Sequence, residues 1–515
     1  MGGVAKPPEH RIRCLPADTR SGGDKDLRVT IDGAEVVVSL RVGQLSRRLV
    51  AGLPERALDL LELAALVYGV DAGVSRGGSA DAQMGAGWHR RFDVEMPVRD
   101  ISFWQDAEVV QALQETLMFL SGDRFTFRFA PTTEPEAEAT RYFQFGVDGG
   151  WRADRVLMFS GGLDSFAGAL EEIAEQGARV ALISHASSTK IAPVQRNLNA
   201  ALSEGFGADA CRHVPVRIQV KGRSRKEGTH RTRSFLFATL GAITAEAFGR
   251  DRVSFHENGV VSLNLPPVGN VVGTRATRTT HPQSLARFTD FFSRVFADGM
   301  RIDNPYFWRT KTDVVETVAR LGMAPQIAHT RSCADVHNQT KQHVHCGRCS
   351  QCIDRRFAIL AAGLQRDDPG EAYKVDLLES ARTEVRDREI GLSYMRNAEA
   401  FTHMTPGDLE RAFPAVLDAV GHVGHPPETG LAMITDLLRR HGGSVMGVVQ
   451  DCTRRKPASD YPENSLPRLF GDTQRNRSLP RIEIERPPPS GPETRPLLLQ
   501  IDAARGRVEI EGTLK

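Results

Sequence analysis

The chain has 515 residues, 40% of them hydrophobic and 25% charged. This is the balance of an ordinary globular protein, not of a collagen-like, disulfide-scaffolded or wholly disordered one, and it allows about three domains at roughly 100–200 residues each. Basic residues number 66 against 64 acidic ones, a net charge of +2 that argues against a general nucleic-acid coat. No apolar run reaches the ~18–20 residues of a bilayer span. Met1–Lys6 leads into charged sequence, without an apolar signal core or the Ser or Thr that myristoylation favours at position six. A cytoplasmic protein is expected. Of the seven Cys, four fall between Cys333 and Cys352, whereas Cys14, Cys211 and Cys452 are scattered. This clustering suggests a metal site in a reducing compartment.

In chain order, residues 1–25 are rich in Pro, Gly and charge and read as a flexible arm. Leu27, Val29, Ile31 and Val36, Val38, Leu40 alternate on either side of Asp32-Gly33, which predicts a hairpin. A helix near Glu55–Ala65, a long Gly/Ala/Ser-rich loop over 74–87 and a strand near Phe92–Val98 follow. A helix near Asp106–Leu120 and strands near Phe125–Phe129 and Tyr142–Phe145 complete a separate α+β domain over 26–148, suited to partner recognition. From Arg155 strands and helices alternate: Val156–Phe159, helix Phe166–Glu175, Val180–Ile183, helix Thr232–Phe248, Val253–Phe255. Such wiring predicts an α/β domain over 150–364, a parallel sheet with helices on both faces. Residues 365–455 carry helical patterns only. Residues 456–515 comprise a wandering Pro/Arg-rich segment and a terminal hairpin, Leu497–Ile501 with Arg507–Ile510.

Ser160-Gly161-Gly162-Leu163-Asp164-Ser165 sits between a strand and a helix. The two Gly allow a tight turn that brings backbone N–H groups to an anion. Ser165 opens the helix, whose N-terminus favours phosphate, and Ser160 and Ser165 add hydroxyl donors. Asp164 would position a polyphosphate-bound Mg²⁺. The Gly-Lys-Ser/Thr ending of a Walker loop is missing. The second motif is Cys333-x12-Cys346-x2-Cys349-x2-Cys352, with Gly347 permitting the turn. Four thiolates complete a tetrahedral Zn²⁺ shell with no open position, a structural site. His329, His337, His343 and His345 surround it, but the cysteines already fill the shell.

The string Ser160–Ser165 resembles the PP-loop of the N-type ATP pyrophosphatases, which bind ATP and transfer AMP to a substrate oxygen. The segment 155–360 resembles the QueC-type 7-cyano-7-deazaguanine synthases. That resemblance rests on Ser160–Ser165, Arg233-Ser234, Asn304-Pro305, Thr310-Lys311, Arg331-Ser332-Cys333 and the run from His345 to Arg356. It implies a Rossmann-like PP-loop core of the adenine nucleotide alpha hydrolase type. It also implies ATP, Mg²⁺ and Zn²⁺ as cofactors, and ligation of an amine to the activated carboxylate of 7-carboxy-7-deazaguanine. Ser160, Gly161, Gly162, Leu163, Asp164 and Ser165 would bind ATP. Asp164, Lys311 and Arg233 would be catalytic, and Cys333, Cys346, Cys349 and Cys352 would hold the zinc.

The synthases carry an Asp-Cys-Arg-containing string where this chain has Thr279–Ser284, before a helix over Leu285–Phe296, so the substrate pocket is expected to differ. With its long flanking regions the chain resembles the enlarged QueC-like proteins of antiphage defence systems such as Qat and one class of CBASS. That resemblance implies transfer of the deazaguanine acyl group to a partner protein's N-terminus, with nucleic acid not the direct substrate. Three other readings stay open: a synthase using ammonia, a PP-loop tRNA sulfurtransferase with Cys211 as its reactive thiol, and a zinc-bearing adaptor without catalysis.

Overall fold

The fold was analysed in a computed structural model that describes residues 9–19, 25–41, 54–76, 89–132, 151–185, 190–221, 227, 231–265, 278–334, 340, 342–478, 498–502 and 507–511. Twelve strands are numbered in chain order. They are β1 Glu9–Thr19, β2 Lys25–Ile31, β3 Ala34–Arg41, β4 Arg91–Val98, β5 Arg124–Pro131, β6 Arg155–Met158, β7 Val180–His185, β8 Cys211–Lys221, β9 Arg252–Ser254, β10 Arg301–Asp303, β11 Leu498–Asp502 and β12 Arg507–Glu511. The first ten form a single sheet in the order β10-β9-β6-β7-β8-β3-β2-β1-β4-β5. β10, β9, β6, β7 and β8 are parallel neighbours, as the strand–helix alternation predicts. Helices Leu163–Ala174 and Ile191–Phe206 cover one face of this half. Arg233–Ala247 and Pro282–Val295 share the core on the other face. Strands buried on both sides follow: every residue of β7 is buried.

The hairpin around Asp32-Gly33 forms as expected. Both residues have positive φ, 50° and 85°, the requirement of a two-residue turn whose twist matches the strands. Its register pairs Leu27 with Val38, Val29 with Val36 and Ile31 with Ala34, so the apolar set shares one face. Two expectations for the N-terminal part are corrected. Glu9–Thr19 is not an arm but β1, antiparallel to β2 and parallel to β4. Nor is 26–148 a unit apart, because β3 pairs antiparallel with β8, Val37 opposite Lys221 through Arg41 opposite Arg217. One core runs from Ile12 and Phe92 through Phe235 to Phe292.

The helix near Glu55 extends to Gly73 and is buried on almost all sides, against helix Arg233–Ala247 and the sheet. Gly69 permits that approach: a Cβ there would lie 2.3 Å from Val38 Cγ2. Helix Ile191–Phe206 and β8 are additions to the sequence reading. Within the expected wandering segment, Leu466–Ser478 is a helix; Pro467 in its first turn is tolerated because no N–H is needed there. The C-terminal region is helical over Val385–Phe401, Pro406–Ala412, Val416–Val420 and Pro427–Arg455. The terminal hairpin forms, with Leu498 opposite Glu511. The expected strand Tyr142–Phe145 and most of loop 74–87 lie outside the described residues. No helix among the described residues is long and apolar enough to cross a membrane.

A buried charge network ties the N-terminal part to the parallel half. Asp71 and Asp123 face Arg76 and Arg90, all four side chains at most 1% exposed. Arg90 donates to both carboxylates, at 2.5 and 2.6 Å. Asp71 also accepts from the Thr232 backbone N–H at 2.9 Å and the Thr232 hydroxyl at 3.0 Å, fixing the start of helix Arg233–Ala247. Burial pushes the Asp71 carboxyl up, but Arg90 and Arg76 outweigh it and hold it below the usual range. Removing one partner of such a network strands the others. Asp123→Ala is expected to lower unfolding stability by about 3–5 kcal/mol, read as the shift of the urea transition; a shift worth under about 1 kcal/mol would contradict this account.

Candidate functional site

The site lies where the parallel strands end, the position at which open α/β sheets present their loops to ligands. β6 ends at Met158, and the Phe159 N–H extends the ladder to Ile183 O at 2.7 Å. The chain then turns through Gly161 at φ 80° into helix Leu163–Ala174. The turn is held from behind. Gln195 Nε2 donates to Ser160 O at 3.2 Å, and the Arg331 N–H donates to Gly161 O at 2.9 Å. The Ser160 and Ser165 hydroxyls are 3.1 Å apart, and the Gly162 N–H donates to Ser160 Oγ at 3.1 Å. A side chain at Gly161 would need a disfavoured φ and would place Cβ 3.2 Å from Gln195 Cγ. The first N–H groups of the following helix have no carbonyl of that helix to bond to, which leaves them for an anion.

Asp164 stands in the first turn of that helix, buried, and forms an ion pair with Lys311, also buried. Thr310 delivers Lys311. Its hydroxyl accepts from the Asp313 N–H while the Asp313 carboxylate accepts from the Thr310 N–H at 2.7 Å, a capping box that starts helix Lys311–Arg320. Two further carboxylates face this pair. Glu257 follows β9 and is fixed by Asn304, which accepts from the Glu257 N–H at 3.1 Å and donates to its carbonyl at 2.8 Å. Asp354, on helix Ser350–Ala361, accepts from the Tyr394 hydroxyl at 2.7 Å. Burial and then Asp164 push the Glu257 carboxyl well above its ordinary range, although Lys311 opposes. Burial disfavours the Lys311 ammonium, but Asp164, Glu257 and Asp354 outweigh it and hold it charged. One oxygen of Asp164 and one of Asp354, both buried, have no hydrogen-bond partner among the described residues. Burial lowers the neighbouring His256 to about 4, so it is neutral near pH 7.

The sequence motifs therefore converge in part. The structure brings the loop and Lys311 together and adds Glu257 and Asp354. Arg233 is placed at the end of β7, its guanidinium 5.5 Å from the Phe237 ring, which in turn packs against His185. The string Thr279–Ser284 starts a helix: His281 Nδ1 accepts from the Gln283 N–H at 3.2 Å, and Thr280 Oγ1 lies 3.0 Å from Ser262 Oγ. Cys211 begins β8, opposite Val180 at the start of β7. It is thus at the end of the parallel strands away from the loop, and burial raises its thiol above its ordinary range. This placement does not suit the sulfur-transfer reading.

The sulfur ligand atoms of Cys333, Cys346, Cys349 and Cys352 all lie within 4.8 Å of one another. Cys346 Sγ accepts the N–H groups of Arg348 and Cys349 at 3.4 Å each. Gly347 makes the knuckle, at φ 73°, where a Cβ would lie 1.8 Å from Val375 O. Hydrogen bonding among the four sulfurs, from Cys333 first, lowers Cys346 and raises Cys349 and Cys352. Arg382 is buried beside the knuckle. It donates to Gly347 O at 2.9 Å, and two of its nitrogens are without a partner among the described residues. A tetrathiolate zinc carries two net negative charges, and this guanidinium would offset one of them. The donor set, the N–H groups on sulfur and the adjacent cation fit Zn²⁺.

Residues 271–363 match the family model described as queuosine biosynthesis protein QueC. The matched stretch contains Lys311, Asp354 and the four cysteines. The 7-cyano-7-deazaguanine synthase of Methanothermobacter thermautotrophicus is 32% identical over 143 residues, 27% of this chain and 53% of that protein. The 7-cyano-7-deazaguanine synthase of Methanocaldococcus jannaschii is 28% identical over 93 residues, 17% of this chain and 39% of that protein. The chain thus spans about half the length, or less, of these curated relatives, and its central part is QueC-like.

The purified chain is expected to carry about one zinc, as a closed four-thiolate site does. Cys346→Ser should lose it and raise proteolysis between 331 and 361; full zinc retention by metal analysis would refute the assignment. A second expectation concerns pH. The raised carboxyl of Glu257 favours the fold while neutral, fully below the ordinary range of about 4.3. That contribution is lost as pH rises through the raised value. Melting temperature should therefore fall as pH rises above the ordinary carboxylate range of about 4.3, more steeply in the wild type than in Glu257→Gln; parallel profiles would show that Glu257 is not the group responsible.

Proposed function

We propose that the chain uses ATP to activate the carboxylate of 7-carboxy-7-deazaguanine and passes the acyl group to an amine, the N-terminus of a partner protein, in antiphage defence. The observation that carries this reading is the buried pair Lys311–Asp164, which joins the QueC-like stretch to the phosphate loop. A carboxylate is a poor electrophile until one oxygen departs with a good leaving group. In the first step a substrate carboxylate oxygen attacks the α-phosphorus, the bond to pyrophosphate breaks and an acyl-adenylate forms. In the second the amine nitrogen attacks the acyl carbon, AMP leaves with its oxygen, and the nitrogen gives up a proton to solvent.

Each residue has a task in this scheme. The Ser160–Ser165 amides and hydroxyls cradle the phosphates. The unpartnered oxygen of Asp164 suits a Mg²⁺, which when bound would neutralise phosphate charge. Lys311 places a second positive charge where negative charge develops on the departing pyrophosphate. Arg233 contacts the substrate side. The zinc knuckle shapes the site without entering the reaction. The regions before 150 and after 364 supply the surface on which a partner's N-terminus docks. A second reading is favoured by the named activity of both relatives: ammonia is the amine, and a further activation converts the amide to a nitrile.

The test supplies purified chain with ATP, Mg²⁺ and 7-carboxy-7-deazaguanine, adding ammonia or candidate partner proteins in separate reactions. Mass spectrometry follows small molecules and intact proteins. AMP release and a base-sized mass on a partner, both lost in Asp164→Ala, are expected. Free amide or nitrile with unmodified partners would favour the ammonia reading, and no AMP under any condition would overturn both.

A further inference from the structure

Helix Pro427–Arg455 lies beyond the stretch that matches QueC, yet one of its faces meets three segments that build the site. Leu437 packs over Gly259, two residues after Glu257. A Cβ on Gly259 would lie 2.6 Å from Leu437 Cδ2 and 1.8 Å from Phe307 O. Arg440, three positions on, donates to Asp313 Oδ2 and to Trp308 O, both at 2.8 Å. That Asp313 oxygen is the one that accepts the Thr310 N–H in the capping box preceding Lys311. His441, buried, has Nδ1 4.0 Å from Asp354 Oδ1. The Tyr394 hydroxyl, from helix Val385–Phe401, donates to the same Asp354 oxygen. Residues spaced three and four apart share a helix face, so Leu437, Arg440 and His441 address the centre as one surface.

We propose that Arg440 and Tyr394 are positioning residues for nucleotide activation, and that the C-terminal helical region is thereby an integral part of the ATP site. The proposal rests on the functional reading above in taking Lys311 as a group at the reacting phosphates, and it adds Asp354, whose charge acts on Lys311. The capping box alone suffices to start the helix at Lys311. What Arg440 adds is a bond to Trp308 O, upstream of the cap, so that the chain's entry and the first turn are gripped by one guanidinium. This fixes the direction in which Lys311 leaves its backbone. The Arg440 side chain is 42% exposed, and half-exposed ion pairs contribute little to global stability. Tyr394 acts on the other side: its hydroxyl holds one Asp354 oxygen and so fixes the carboxylate, whose second oxygen has no partner among the described residues.

The experiment uses the full chain as wild type, Arg440→Met, Arg440→Lys, Tyr394→Phe and Asp164→Asn. It reads AMP release with ATP and 7-carboxy-7-deazaguanine, the melting temperature, and amide hydrogen exchange over residues 310–314. Arg440→Met is expected to lower kcat by about 10- to 100-fold, the scale of a small misplacement, with KM for ATP nearly unchanged and the melting temperature close to wild type. Exchange over 310–314 should rise by roughly tenfold as the helix start opens locally. Arg440→Lys, which can keep one of the two bonds, should restore part of both. Tyr394→Phe should lower kcat by about tenfold without altering exchange at 310–314. A kcat within about twofold of wild type in both Arg440→Met and Tyr394→Phe, or unchanged exchange in Arg440→Met, overturns the proposal. Absence of AMP release by the wild type would sink the functional reading alone. The exchange of Arg440→Met against Arg440→Lys then decides the positioning by itself.

Discussion

A buried ammonium is the constraint on which the arrangement depends. Lys311 and Asp164 are 2% and 6% exposed, and charges removed from water are tolerated only when paired at close range. The pair draws on two segments, and the surrounding carboxylates Glu257 and Asp354 on two more, so any segment that strays leaves charge unpaired in the interior. The sheet does half of the alignment, since β9 lies beside β6 and brings Glu257 to the level of the phosphate loop. The capping box and the cysteine knuckle do the rest. Three carboxylates around one cation leave an excess of negative charge. Protonation of Glu257 relieves part of it.

The knuckle acts mechanically. Cys333 ends the strip Thr330–Cys333, whose Arg331 amide bonds to Gly161 O at the back of the phosphate turn. Cys349 and Cys352 begin the helix that presents Asp354. Arg355, entirely buried, crosses the gap between these strips. It donates to Thr330 Oγ1 at 2.6 Å, Ile327 O at 2.7 Å and Asp368 at 2.8 Å. Asp368 also accepts from Tyr373, on which His345 stacks with ring centroids 4.8 Å apart. A metal held by the four sulfurs would lock two approaches to the Gly161 loop at once, in a shell with no vacancy for water.

What was legible in the sequence was what is local. The Gly161-Gly162 turn, the cysteine spacing and the Asp32-Gly33 hairpin each follow from a few adjacent residues, and each is found where expected. Glu257 and Asp354 were not assigned roles, because an isolated carboxylate has no local signature; only the neighbouring strands and the Lys311 helix give it a partner. The supposed boundary near 150 fails for the same reason. The β3–β8 pairing joins residues about 180 positions apart, and nothing in either strand's own pattern names the other. β1 was hidden by its charges and Pro16, since its apolar positions, Ile12 among them, are few. Arg233 starts its helix as expected, and its guanidinium lies over Phe237, which packs against His185 at the end of β7.

The single sheet has a consequence for trimming and solubility. In a chain cut down to the parallel half, β8 would be an outer strand with a row of unsatisfied amides and carbonyls, a template for self-association. Here β3 covers that row. The strands that do remain outermost among the described residues are blunt. β10 is three residues long, and β5 turns Arg124, Thr126 and Arg128 to solvent while its phenylalanines face inward. The N-terminal half thus acts as an insulating border for the parallel half that carries the loop and Lys311. A minimal version of this protein has to keep that border or replace it.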